Sequence, residues 1–396
     1  MQFLKITYQN NIWKYYAFEF FRQFFFVSGV LIPFFTEFGH LAQSQIQFTQ
    51  SWFMLWLFLL EVPTGVIADY WGRKFSLILA GVTVTGAALI YGIFPNFYVF
   101  LVGEFFFALS GALRSGANEA FVYDTLKELK KESEAKKVFG RGDAFRKIAI
   151  GVSAIIGSFI AKYFGLQYTM LFSIFPMIIQ TLIAFTFKEP PLHDVEKESR
   201  RYLDILKIGV NNLIHNKTLK ILAIDSTLVA SLAYFVIWLY QRKLLAINIP
   251  VIYFGYFTLF LVLMEIIVVI FPHKIEAILG GKKRLLTFGS WGTAITFLLV
   301  GISNHPFAIV LFLAFAGGFG LTRQIIMSSY FNKHISSSER ATTISAISML
   351  PQFILFIVNP IVGLLVDWNL NYTFIILGIT GVFIAIFSQV EEKMLL

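Results

Sequence analysis

The stretch EVPTGVIADYWGRK, residues 61–74, joins two long apolar runs, at about 48–68 and about 75–95. Each run has the ~20 residues a helix needs to cross a bilayer, and the connection is too short for a soluble layer between them. The rest of the chain repeats the plan. Of 396 residues, 57% are hydrophobic, only 14% are charged and 46 are phenylalanine, so no aqueous surface can be built from them. The apolar content fills eleven or twelve helices of ~20 residues. These proportions exclude a secreted protein, a nucleic-acid-binding protein and a soluble enzyme with a small anchor.

With no cysteine, the chain has no disulfide framework, thiolate zinc site, iron–sulfur cluster or cysteine nucleophile. The six histidines fall between or at the margins of the apolar runs, so a haem or di-metal centre deep in the membrane lacks its usual ligands. No cofactor is expected. The mixed residues before the first run carry no small-residue cleavage site, and no signal peptide is expected.

Apolar runs occur at about 13–36, 48–68, 75–95, 97–123, 144–162 and 166–187, then at 218–240, 251–272, 285–303, 306–330, 342–366 and 371–390. The most polar stretch, 188–217, lies between the sets. The expected organisation is a six-helix half over 1–187, a cytoplasmic linker over 188–217 and a second six-helix half over 218–396. In the linker and just beyond it, Leu203, Leu206, Val210, Leu213 and Ile214 recur at helical spacing beside Arg200, Arg201, Lys207, Lys217 and Lys220, as in an amphipathic helix on a membrane surface. A partner-docking helix is the alternative. With the N-terminus inside, three of the 32 Lys/Arg fall outside (Lys162, Arg242, Lys243), three within spans (Arg22, Arg114, Arg323) and the rest on the cytoplasmic side. Both termini are therefore expected in the cytoplasm, and the location is the plasma membrane. An offset of 209 residues aligns 72–124 with 281–333 and matches Gly72 with Gly281, Lys74 with Lys283, and Arg114 with Arg323, consistent with duplicated halves.

Gly65, Asp69, Gly72, Arg73 and Lys74 fit the form G-x-x-x-D-x-x-G-R-K. In this the chain resembles the major facilitator superfamily, whose signature loop between helices two and three has that spacing; Tyr70 stands where an arginine is frequent. The lead-in Glu61 to Gly65 resembles the drug:proton antiporter branches. The resemblance implies an all-α integral membrane fold of twelve transmembrane helices in two pseudo-symmetric halves. It also implies a central site lined by helices one, four, seven and ten that opens alternately to each side. In such a loop Gly65 permits close helix approach and Gly72 a tight turn. Asp69 can face the positive end of a helix, here span eleven near Ala341. Arg73 can pair with Asp69 and with Asp124 at the end of span four, forming a cytoplasmic latch. The plainer reading makes Arg73 and Lys74 positive-inside anchors.

A charge at the centre of a membrane helix costs roughly 2.5–3.5 kcal/mol on insertion scales, so each one needs a reason. Counting 1.5 Å per residue, Glu104 lies ~12 Å into span four and Arg22 ~13 Å into span one from the opposite side. Glu19 and Gln23 flank Arg22. Antiporters of the family often carry an acid on helix one and an arginine early in helix four; here Glu104 stands at the arginine's position and Arg22 is on span one, which suggests a swapped Arg22–Glu104 pair. Glu19 competes for Arg22, and a static pair that only fixes packing is the alternative to proton coupling. Alone, Glu104 would favour its neutral form; beside Arg22, its carboxylate. Arg114 and Arg323 lie near the cytoplasmic edge, where snorkelling competes with function.

Gly151 and Gly157 keep part of the glycine-rich helix-five signature of antiporters, and a small-residue packing face explains them equally. Asp225 on span seven, Glu265 on span eight, and Tyr234 with Trp238 four residues apart are candidates for the cavity wall, as are Gln23 and Arg323. Core or lipid-facing aromatics are the alternative for the rings. Pro351 and Pro360 should bend span eleven. No G-x-x-x-x-G-K-[ST], H-E-x-x-H or G-x-S-x-G is present, leaving an ion gradient as the source of work. The expected activity is proton-coupled efflux of a hydrophobic or amphiphilic small molecule by a monomer, with protons or another coupling ion as partner and no nucleic acid. Proton-coupled nutrient uptake and, from another class, a lipid scramblase or intramembrane enzyme are the alternatives.

Overall fold

The computed structural model describes residues 6–191, 211, 213–335 and 340–396. Among them ten helices are long and apolar enough to cross a membrane; the bent pair Gln43–Glu61 and Pro63–Trp71 makes an eleventh, and Leu370–Ile386 is a shorter apolar helix of 17 residues. In chain order these are α1 (Tyr8–Phe38), α2 (Gln43–Trp71), α3 (Arg73–Ile93), α4 (Phe97–Glu128), α5 (Ala135–Tyr163), α6 (Leu166–Phe185), α7 (Lys217–Ala246), α8 (Val251–Ile270), α9 (Lys282–Ile302), α10 (Pro306–Phe331), α11 (Arg340–Trp368) and α12 (Leu370–Ile386). No strand occurs among the described residues. The linker residues expected to form an amphipathic helix, 192–210 and 212, lie outside the described set. Beyond them Leu213 is buried and Ile214 exposed.

The 209-residue offset reappears in how helices begin. Thr7 accepts the Asn10 N–H ahead of α1, and Asn216 accepts the Leu219 N–H ahead of α7. Asn96 and His305 each accept the N–H two residues on, at the starts of α4 and α10. Such side chains satisfy donors that have no partner inside the helix. Gly72 (φ 98°) and Gly281 (φ 147°) turn the chain into α3 and α9 through backbone conformations that L side chains rarely adopt.

Not every span is a regular helix. α1 is regular over Tyr8–Gln23, then passes through a 3₁₀ turn at Phe26–Val30 and wide π-type turns at Phe34–Phe38. α10 widens in the same way over Leu313–Leu321. By contrast α4 and α7 are continuous over 32 and 30 residues. Pro351 and Pro360 both lie within the continuous α11.

The chain forms two compact units. The first comprises Met1–Leu41, Phe48–Arg201 and Val251–Thr258, the second Ala42–Gln47, Tyr202–Pro250 and Leu259–Leu396. In the first, α3 packs on α4 and α6, and α1 on α5 and α6. The small residues of α5 make the closest approach: a Cβ at Gly157 would sit 1.8 Å from the Phe26 carbonyl oxygen, and one at Gly29 2.1 Å from that of Ala154. The start of α8 joins the same face, with the Gly255 N–H donating to Ser158 Oγ at 2.7 Å. The packing reading of this glycine-bearing face is thus realised in contacts. Tyr15, Tyr16, Phe18, Phe121 and Phe187 belong to an aromatic-rich core. In the second unit α9 packs on α12 and α10, and α7 on α10 and α11. Asp367, near the end of α11, accepts the Gln43 and Ser44 N–H groups at the start of α2, both at 2.9 Å.

Candidate functional site

Four groups of polar side chains stand out, three in the first unit and one in the second. At the α2–α3 connection Arg73 pairs with Asp124 and donates to the Ala120 carbonyl at 3.0 Å, tying the start of α3 to the inner end of α4. Glu189, after α6, accepts the Arg73 and Lys74 N–H groups at 2.9 and 2.7 Å. Glu392 does the same for Lys282 and Lys283 at the start of α9, at 3.1 and 2.8 Å. Burial, opposed by the two N–H bonds and by Arg73 and Lys74, leaves Glu189 above the ordinary glutamate pKa. Asp69 is half-buried on the last turn of α2. The close helix approach expected at Gly65 is not made among the described residues, where nothing lies within 4 Å of a Cβ placed there. Gly65 sits on the segment Pro63–Trp71, which is bent 46° away from Gln43–Glu61.

The second group joins α1 to α4. Glu19 accepts from Arg22 at 2.5 and 3.2 Å and from Asn118 Nδ2 at 2.9 Å, while Arg22 also donates to Gln23 Oε1 at 3.2 Å. Arg114, one turn before Asn118, is half-buried and makes no hydrogen bond or ion pair with any described residue. The third group surrounds Glu104, which is 6% exposed. It accepts from Gln50 Nε2 of α2 at 3.0 Å, and the enclosed Tyr91 hydroxyl of α3 faces the same carboxyl.

The expected Arg22–Glu104 pair is therefore corrected. Glu104 lies ten residues from Arg114 along α4, ~15 Å of helix rise, while Glu19 is one turn from Arg22 on its own helix and captures it.

In the second unit Asp225 pairs with Arg323 and accepts from Ser388 Oγ at 2.7 Å, and Arg323 donates to the Leu286 carbonyl at 2.7 Å. Both charged side chains are 4% exposed, so neither snorkels nor lines an open wall. The correction has a simple reason: two opposite charges taken from water cost less together than apart. Trp238 is buried, with its ring 6.3 Å from that of the half-buried Tyr234, a core pair rather than an open wall. Glu265 is half-buried on α8. Lys243, expected outside, is 1% exposed and donates to Asn304 and Asn371 at 3.0 and 2.7 Å. Sequence reasoning missed Asn118, Gln50, Glu189 and Ser388. Only Asn118 left a signal, as an amide one turn from an intramembrane arginine.

Long apolar helices with a repeated capping pattern and ion pairs within the spans define a multi-pass membrane protein built on a duplicated plan. The family model described as Major Facilitator Superfamily matches residues 17–275, and the chain belongs to that family. Membership of that family indicates a transporter. Among solved structures, a mutant of the nucleoside transporter NupG superposes with a TM-score of 0.77 at 14% identity, covering 95% of this chain and 98% of its own. A POT family transporter in complex with 5-aminolevulinic acid gives 0.74 at 13%, covering 96% of each chain. A bacterial homolog of the human lysosomal transporter Spinster, inward-facing and occupied, gives 0.69 at 12%, covering 94% of each. At such identities the likeness is one of fold. No curated protein matches the sequence.

Proposed function

We propose that this chain is a proton-coupled secondary transporter that exports a hydrophobic or amphiphilic small molecule by alternating access. It acts as a monomer in the plasma membrane with both termini in the cytoplasm, the orientation favoured by the lysine and arginine bias. The observation that carries proton coupling is Glu104: a carboxyl buried within α4, bonded to the neutral Gln50 amide and forming no salt bridge among the described residues. A carboxyl without a cation changes charge at small cost when its surroundings rehydrate. Arg73 and Asp124 act as the inner latch, beside Asp69. Export is favoured by the resemblance of Glu61–Gly65 to drug:proton antiporters.

The test is reconstitution in proteoliposomes with an imposed pH gradient and a panel of lipophilic fluorescent dyes, nucleosides and dipeptides. Export predicts probe movement against the proton flux. Movement with the proton flux overturns export in favour of uptake, and indifference to the gradient overturns proton coupling and points to a scramblase. In Glu104→Gln, uphill accumulation should be lost while exchange at equal concentrations persists; retained uphill transport refutes the role of Glu104.

A further inference from the structure

The arginine of α10 is neutralised and its counterpart in α4 is not. Arg323 has Asp225, the Leu286 carbonyl and, through Asp225, Ser388. Arg114, 209 residues earlier, has no hydrogen-bond or ion-pair partner among the described residues. At the same offset from Asp225 the first half carries Tyr16, and the nearest acid in the spans, Glu19, is occupied by Arg22 and Asn118. A guanidinium kept in a membrane span without an acid is costly, and such groups mark ligand or ion pathways.

The neighbourhood is built around a second guanidinium. α1 and α4 are separated by two further spans and run antiparallel, and the Asn118–Glu19 bond fixes their register. Three residues forward from Glu19 is Arg22, and four residues back from Asn118 is Arg114. Both steps go one turn in the same direction, ~5–6 Å, so the backbones of Arg22 and Arg114 stand at one level. Arg22 is accordingly the strongest charge acting on Arg114, followed by Glu19, Arg146 and Glu119. Arg146 is paired with Asp143, and Glu119 is exposed. The set of Arg22, Arg114 and Glu19 thus carries one excess positive charge. Arg22 keeps 15% of its side chain exposed and Arg114 is half-buried, so both are within reach of a solute. Asn118 Oδ1, buried beside them, has no donor among the described residues.

We infer that Arg114 and Arg22 form an oxyanion subsite in the transport pathway, and that the substrate presents a carboxylate or phosphate to it. The ligand's acid takes the part that Asp225 plays for Arg323. Guanidinium suits this task because its planar fork bonds a carboxylate or phosphate through two parallel N–H groups. The inference rests on the transport reading and names the polar end of an amphiphilic substrate.

Binding tests it apart from transport. Purified protein in an uncharged detergent is titrated at constant ionic strength with sodium benzoate, phenyl phosphate and, as the neutral counterpart, benzamide, following the unfolding midpoint Tm. A ligand of the native state raises Tm with saturation. Benzoate or phenyl phosphate should do so and benzamide should not; which of the two is tighter identifies the acid. Arg114→Gln should weaken the response at least about tenfold, the size of one charge-assisted hydrogen bond. Arg114→Lys should weaken it less, and Arg284→Gln, an exposed arginine of α9, should leave it unchanged. Helical content and a monodisperse elution profile report whether each variant is folded, and Arg114→Lys carries the test if Arg114→Gln is not. No anion response, an undiminished response in the Arg114 variants, or stabilisation by phosphatidylglycerol alone would overturn the subsite. None of these results bears on gradient-driven transport, which the proteoliposome assay decides separately.

Discussion

Replacing Asp225 by alanine removes the partner of Arg323 and the acceptor of the Ser388 hydroxyl. Among the described residues Arg323 keeps one carbonyl, that of Leu286, and its buried Nε has no partner. Breaking one side of a buried pair costs about 3–5 kcal/mol, because an uncompensated charge is left behind. At roughly 2–4 °C per kcal/mol for a unit of 150–250 residues, Tm should fall by about 6–20 °C. The assay is thermal unfolding in detergent, followed by tryptophan fluorescence, on Asp225→Ala, Arg323→Met and the double variant Asp225→Leu/Arg323→Met. The double variant should recover most of the loss, since no lone charge remains, and the double-mutant cycle isolates the pair. A single variant within about 2 °C of wild type, or a double variant no better than the singles, refutes the reasoning.

Other outcomes follow from close contacts and capping. Gly157→Ala places a methyl 1.8 Å from the Phe26 carbonyl oxygen, so α1 and α5 must separate; a loss of about 1–3 kcal/mol, read as lowered Tm, is expected. Gly72→Ala asks for φ 98° from an L side chain and sets its Cβ 3.1 Å from the Glu189 carboxyl carbon. It should cost about 1–2 kcal/mol and speed hydrogen exchange at the first amides of α3. The native pKa of Glu189 lies above the ordinary value of 4.5, so the folded state holds this proton more tightly than the unfolded chain. Its contribution is therefore most favourable below the ordinary value and declines as pH rises through the raised one. Relative to Glu189→Gln, the wild-type Tm should fall as pH climbs from about 4.5; a difference independent of pH would contradict this.

The membrane fold was legible because its signals are local. Runs of ~20 apolar residues are read by length alone, and Gly72 marks a turn that needs glycine; the capping by Thr7, Asn96, Asn216 and His305 emerged only in the structure. Arg73 with Asp124 was legible from the spacing of the signature loop. Glu189 was not, since its part is set by where the chain returns after α6, beside amides 115 and 116 residues earlier. The Arg22–Glu104 expectation failed because side-chain direction around a helix is not a depth, and because Glu19, one turn away on the same regular stretch of α1, takes Arg22.

The irregular spans carry a mechanical consequence. At the 209-residue offset α1 corresponds to α7 and α4 to α10, yet α1 and α10 are interrupted while α4 and α7 are continuous. Each half thus combines one rigid rod with one jointed rod, and the assignment is exchanged between them. Wide turns replace some of the regular i to i−4 bonds, and the widened stretch of α10 holds Gly317, Gly318 and Gly320, where Leu261, Met264 and Ala233 approach the backbone too closely for a side chain. The breaks in the regular hydrogen-bond ladder thus lie crosswise in the repeat, so a duplicated plan yields two halves that differ in which of their corresponding helices is irregular.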